Sequence, residues 1–193
     1  MYDAICLASG GLDSMVCLYL LREKNISALP MYVNYGQRSH KREWEALYSA
    51  CVIGGFPEPI VFDIPGFGSV IKSGLTDAAY RVNEDAFTPN RNLLFLTLAS
   101  SLASLKGSRN VVIGFLSEQT TIFSDQTDLF LRSAENTLSE SLGMQIHIHC
   151  PLRDLIKADV VKLAQVRGIE RFYSCHLGTD EPCGQCIACL EYT

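Results

Sequence analysis

An apolar run from Asp3 to Ala8 passes through Ser9-Gly10-Gly11 into a stretch with helical spacing, and this alternation of strand-like and helix-like segments continues down the chain. Strands separated by helices instead of tight turns run parallel, and a parallel sheet must be covered on both faces. Leu12, Met15, Val16, Tyr19 and Leu20 share one face of a helix predicted over 12–24. Ala28 to Asn34 and Pro59 to Ile64 read as further strands. Trp44, Leu47, Tyr48 and Cys51 mark the helix between them, which ends at Gly54-Gly55. A loop over about 65–89 leads to an apolar helix over 92–105 and a strand over 110–115. A helix carrying Leu131, Ala134, Leu138 and Leu142 stops at Gly143, a short strand spans 146–149, and a last long helix over 157–167 ends at Gly168. The expected fold is α/β with a doubly wound parallel sheet. In such sheets ligands bind beyond the carboxyl ends of the strands.

With 193 residues, 48% of them hydrophobic, the chain is long enough for one well-buried core. No apolar run approaches the roughly 20 residues that span a bilayer, and no basic segment leads into a secretory apolar stretch. A cytoplasmic protein with no membrane association is expected. The net charge of -5 argues against a broad electrostatic grip on nucleic acid, which needs clustered Lys and Arg.

The turn that opens the first helix carries the first functional signal. Backbone N–H groups at a helix start lack intrahelical partners, and the aligned peptide dipoles place partial positive charge there, which suits a phosphate. Gly10 and Gly11 let the backbone approach such a guest, Ser9 and Ser14 add hydroxyls, and Asp13 caps the helix or helps hold a magnesium ion. The plainer reading of two adjacent glycines is an ordinary capped strand-to-helix turn.

The second signal is the tail. Cys183, Cys186 and Cys189 are each separated by two residues, with Cys175 eight positions upstream. Four thiolates complete a tetrahedral zinc ion and leave no open position, so the expected role is structural. The same ligands could hold an iron–sulfur cluster, and a redox pair is a further alternative. His176 reads as a surface or hydrogen-bonding histidine and not as a fifth ligand. The other four cysteines, Cys6, Cys17, Cys51 and Cys150, sit in apolar segments and read as core thiols. His147 and His149 alternate on one side of a short strand, where core or surface residues are a better reading than a second metal site.

The string SGGLDS, over residues 9–14, resembles the pyrophosphate loop of ATP pyrophosphatases, which cleave ATP between the α and β phosphates to adenylate a substrate. By that resemblance Ser9, Gly10, Gly11, Leu12, Asp13 and Ser14 hold the departing phosphates. Together with YGQR (35–38), SGLTD (73–77), TPNRN (88–92), PLRDLIKADVVKL (151–163) and the four cysteines, it makes nearly the whole chain similar to the QueC family, the 7-cyano-7-deazaguanine synthases. The resemblance implies an adenine nucleotide alpha hydrolase-like PP-loop domain over 1–170 and a zinc-binding tail over 171–193. It implies ATP, Mg2+ and Zn2+, a 7-carboxy-7-deazaguanine substrate, ammonia as the amine, and a homodimer. It assigns Asp13, Arg91 and Lys157 to catalysis, Gln37 and Arg38 to the ATP pocket, and Arg91, Asn92 and Asp125 to the substrate. Asn92 as a helix cap, Gln37 and Arg38 in a plain loop, and Tyr32 and Tyr35 as sheet packing or adenine neighbours are the structural alternatives.

Three positions depart from the family pattern in the segment 114–127: Leu116, Gln119 and Gln126. They motivate the expectation that the acceptor or the end product differs from the usual nitrile. A QueC-like enzyme of an antiviral cluster that uses another amine, even a protein amine, is one alternative. A tRNA-modifying PP-loop enzyme and a catalytically weak nucleotide-binding module are the others.

Overall fold

The computed structural model describes residues 1–120 and 122–192; Thr121, within the departing segment, and Thr193, the end of the expected tail, lie outside the described residues. Five strands form one sheet: β1 (Ala4–Leu7), β2 (Ala28–Asn34), β3 (Ile60–Asp63), β4 (Asn110–Val112) and β5 (His147–His149). Their order is β3-β2-β1-β4-β5 and every neighbouring pair is parallel. Ala4 pairs with Ala28 on one side and Asn110 on the other, which makes β1 the central strand. The winding direction reverses beside β1, so a crevice opens at its carboxyl end and that of β4.

Seven α-helices, α1 (Leu12–Glu23), α2 (His40–Gly54), α3 (Gly66–Val70), α4 (Arg91–Leu105), α5 (Asp128–Leu142), α6 (Lys157–Val166) and α7 (Ile187–Leu190), and two short 3₁₀ helices, Glu118–Thr120 and Ser124–Gln126, complete the described chain. Side chains of a strand alternate between faces. Ala4, Cys6 and Ala8 therefore join the core under α1, α2 and α6, while Ile5 and Leu7 join the one under α4 and α5. Leu47, Leu96 and Val160 are completely buried anchors of these layers, each contributing about 1.5–3 kcal/mol by leaving water. None of the described helices is long and apolar enough to cross a membrane.

Three elements differ from expectation. β4 stops at Val112, because its partner β5 ends at His149, whose carbonyl takes the Ile113 N–H at 3.0 Å as the last contact. The loop over 65–89 contains α3, a single short turn that no apolar periodicity marks. α4 begins at Arg91 behind Asn90, which adopts a left-handed φ of 58°, so Asn92 lies inside the helix and is not its cap.

The four core thiols are free, and Cys6, Cys17 and Cys51 are fully buried. Burial pushes the Cys6 thiol up to about 12, which makes it a poor nucleophile. His147 and His149 lie exposed on the sheet edge with ring centres 6.3 Å apart. Leu75, Val82 and Ala86 of the long loop pack with Cys175 and Cys186, so loop and tail share a small third core.

Candidate active site

Two cavities of about 240 and 280 Å³ meet at the carboxyl end of β1. Ser9, Asp13, Ser14, Arg91 and His176 line both and form their common wall. The first cavity continues to Lys157, Glu191 and Phe123; the second runs under the ends of β1 and β2 to Met31, Tyr32 and Asn92.

The wall begins with the strand-to-helix turn. Gly10 has a φ of +79°, and a Cβ there would fall on the Glu43 carbonyl oxygen, so this position accepts only glycine without distortion. Gly11 caps α1 without a side-chain hydrogen bond. The first N–H groups of α1 therefore keep the free donors of a helix start at the cavity edge. The Gly11 N–H approaches Ser9 Oγ at 3.2 Å, and the Ser14 hydroxyl donates to the Gly11 carbonyl at 2.9 Å.

Lys157, the first residue of α6, reaches across to this turn. Its Nζ donates to both oxygens of Asp13 at 2.8 Å each and pairs with Glu191 Oε2 at 2.8 Å. Burial opposes its charge, but the two carboxylates outweigh that and hold its pKa above the ordinary lysine value. Arg91 lies at the other side, with Nη1 donating to Tyr35 Oη at 3.4 Å and its guanidinium 5.8 Å from the Tyr35 ring centre. Among the described residues its Nε is buried without a partner, as is Asp125 Oδ1. Asn92 Nδ2 donates to the Asp125 carbonyl at 3.4 Å. Burial raises the Asp125 pKa against the opposing pull of Arg91 and Asn92. Arg91 lines both cavities, whereas Asp125 lines neither and is joined to the second only through Asn92.

Gln37 and Arg38 are adjacent but serve differently. Gln37 is buried and lines the second cavity, its Nε2 donating to Tyr32 Oη at 2.9 Å and Glu43 Oε2 at 2.9 Å while its Oε1 accepts the Tyr35 N–H at 2.9 Å. Arg38 lines neither cavity; its Nη1 donates to the Gly74 carbonyl at 3.3 Å. Tyr32 packs in the sheet core and also borders the second cavity.

Cys175, Cys183, Cys186 and Cys189 bring their sulfurs within 4.8 Å of one another. The Cys183 and Cys189 sulfurs are 3.9 Å apart, close to the roughly 3.8 Å edge of a zinc tetrahedron with 2.3 Å bonds. Backbone N–H groups of Cys183, Cys186 and Cys189 point at sulfurs 3.4–3.5 Å away, the arrangement that stabilises thiolates. Burial raises Cys175, but hydrogen bonds from the Cys183 and Leu177 backbones and from Thr179 outweigh it and bring the thiol down to about 6. The donor set therefore fits a zinc ion. This cluster is tied to the turn by the Tyr173 N–H, which donates to the Gly10 carbonyl at 2.8 Å, and the tail is tied to α2 by an ion pair between Arg42 and Asp180.

His176 is not on the open surface, and among the described residues its ring makes no hydrogen bond. It is half-buried, lines both cavities, and its Nδ1 is enclosed without a partner. Burial first, then the charges of Arg91 and Lys157, bring its pKa down to about 4. Glu43, Phe115, Phe123 and Glu191 were likewise not singled out from the sequence. Of these only Glu191, two residues beyond the last ligand cysteine, carried a positional signal.

Residues 3–192 match the family model described as queuosine biosynthesis protein QueC. The 7-cyano-7-deazaguanine synthase of Campylobacter jejuni is 29% identical, over 97% of this chain and 90% of its own. Those of Methanobrevibacter smithii and Laribacter hongkongensis are 31% and 33% identical, over 97% of this chain and 90% and 86% of theirs. Among solved structures, NMN synthetase from Francisella tularensis superposes with a TM-score of 0.56 at 15% identity, over 95% of this chain and 71% of that one. The U34-tRNA thiolase NcsA from Methanococcus maripaludis gives 0.54 at 16%, over all of this chain, which spans 64% of the thiolase. At such identities the structural likeness concerns the fold alone, a doubly wound parallel α/β sheet of the PP-loop type.

Proposed function

The chain belongs to the QueC family, and on that premise we propose that it is an ATP-dependent ligase of the 7-cyano-7-deazaguanine synthase type. It adenylates the carboxylate of 7-carboxy-7-deazaguanine and passes the acyl group to ammonia. The observation that carries this reading is the convergence of the α1 turn and Arg91 on the wall shared by two cavities, with Lys157 in the first cavity bonded to Asp13 of that turn. One compartment suits a nucleotide and the other its reaction partner.

In this reading the adenosine occupies the cavity beside Tyr32 and Gln37, and the outer phosphates lie against Ser9, Gly11, Asp13 and Ser14. A substrate carboxylate oxygen attacks the α-phosphorus, the new O–P bond forms, and pyrophosphate leaves. Negative charge gathers on both reactants, so cationic donors fixed in advance lower the barrier. Arg91 faces the incoming carboxylate, and Lys157 turns from Asp13 toward the phosphate. Arg91, on the common wall, also contacts the heterocycle in the first cavity, and Asn92, which borders the nucleotide cavity, holds the Asp125 segment behind it through the Asp125 carbonyl. The nitrogen of ammonia then adds to the acyl carbon, AMP departs and an amide results. A second activation of that amide, with loss of its oxygen to AMP, gives the nitrile.

Magnesium accompanies the triphosphate in this scheme. Zinc in the four-sulfur site would have no open position, and its chemistry is to hold the 171–193 tail against the 1–170 domain. The test is to incubate the protein with ATP, 7-carboxy-7-deazaguanine and ammonium, and to quantify AMP, pyrophosphate and product mass. AMP formation that requires the deazaguanine, with an amide or nitrile mass, supports the reading; no AMP above background refutes it.

A further inference from the structure

His176 has a ring that the fold places with care and leaves without work. Its backbone N–H donates to Cys186 Sγ at 3.5 Å, so the metal-site loop fixes its main chain. The ring lines both cavities, on the wall that also carries Arg91 and Asp13. Nδ1 is enclosed without a partner, and among the described residues Nε2 makes no hydrogen bond either. An enclosed N–H without an acceptor is rarer and costlier than an enclosed lone pair. The ring hydrogen therefore belongs on Nε2, the nitrogen that remains accessible, and the imidazole offers one donor to whatever sits where the cavities meet.

In the proposed reaction that meeting point is where the acyl carbon lies, between the nucleotide and the heterocycle. When the amine adds, the C–N bond forms and the carbonyl electron pair moves onto oxygen. As the intermediate collapses, the carbonyl returns, the C–O bond to AMP breaks with its electron pair on AMP, and the proton of the added nitrogen leaves to water. Lys157 and Arg91 serve phosphate and carboxylate charge before this point, and neither is committed to the acyl oxygen afterwards. We propose that His176 is a catalytic residue of the second half-reaction, its Nε2–H donating to the acyl oxygen as the amine adds. The inference rests on the function proposed above.

The test separates the two half-reactions. Adenylation is read as isotope exchange between ATP and pyrophosphate with 7-carboxy-7-deazaguanine present and ammonia absent; acyl transfer is read as amide formation with ammonia. His176→Ala is expected to slow amide formation about 100-fold, the usual cost of one oxyanion donor, and to slow exchange far less. His176→Gln, whose terminal amide can present an N–H near the place of Nε2, is expected to recover at least a tenth of the lost rate. Zinc content and Tm are measured on both variants, and the ratio of the two rates is compared in those that retain full zinc. Equal loss in both half-reactions, unchanged amide formation in His176→Ala, or a zinc-replete His176→Gln no better than alanine overturns the role of His176 and leaves the function standing. A wild-type protein that forms no AMP overturns both.

Discussion

Lys157 Nζ lies 2.8 Å from each carboxylate oxygen of Asp13 and 2.8 Å from Glu191 Oε2. One ammonium thus joins the glycine turn, the last long helix and the cysteine tail. A lysine held by two carboxylates is charged and close to the turn before any phosphate arrives, and a triphosphate offers it a stronger partner than either.

Lys157→Met should reduce AMP formation by at least 100-fold while costing about 1 kcal/mol of stability, since the pair is only partly buried. The folded-state pKa of Lys157 is raised. Its stabilising contribution is therefore fully present below the ordinary lysine value near 10.4 and is lost as pH rises through the higher folded value. Urea titrations of wild type and variant should differ by a constant amount from pH 6 to 9 and converge only above that range.

Cys186→Ser should lose bound zinc and lower the Tm, because binding energy at a closed site is folding energy. The Tyr173 bond to Gly10 and the Glu191 bond to Lys157 run from this tail to the turn. The KM for ATP should rise as well. Metal analysis, a melting curve and ATP titration check the three outcomes, and unchanged zinc content would contradict the ligand assignment.

Gly10→Ala should destabilise by about 2–3 kcal/mol, since a left-handed φ and a collision with the Glu43 carbonyl act together. Gly107→Ala is the control: its φ is +74° but a Cβ there meets open space, so only the conformational cost of about 1 kcal/mol applies. Denaturant midpoints of the two variants should separate accordingly.

Much of this arrangement is written locally in the chain and some of it is not. The β1 turn, the alternation of strands and helices, the glycine ends at Gly55, Gly143 and Gly168 and the spacing of four cysteines depend on neighbours a few residues apart, and each stands in the structure as read. The end of β4 at Val112 depends on where β5 stops, and no signal near residue 112 reports it. Glu43 belongs to an ordinary-looking charged helix and becomes a cavity residue only because Tyr32, Gln37 and Ser39 converge on it. His176 read as a bystander because four cysteines satisfied the metal, and its placement needed the tail to fold back over Gly10.

Gln37 and Arg38, equivalent in the sequence, should behave differently. Gln37→Ala removes four side-chain hydrogen bonds in an enclosed network with Tyr32, Val33, Tyr35 and Glu43 and should cost about 2 kcal/mol along with a weaker grip on ATP. Arg38→Ala loses a contact to a loop carbonyl and should leave the KM for ATP within about 2-fold, because its side chain borders neither cavity. Steady-state ATP titrations of both variants decide the point.

The central claim is that a carboxylate oxygen attacks the α-phosphorus of ATP at the wall formed by Ser9, Asp13, Ser14 and Arg91. Turnover of 7-carboxy-7-deazaguanine labelled with oxygen-18 in its carboxylate tests it directly. The account predicts that every AMP released carries one labelled oxygen, one such AMP per amide and two per nitrile formed, with pyrophosphate unlabelled. Label absent from AMP, or ADP as the nucleotide product, would contradict it.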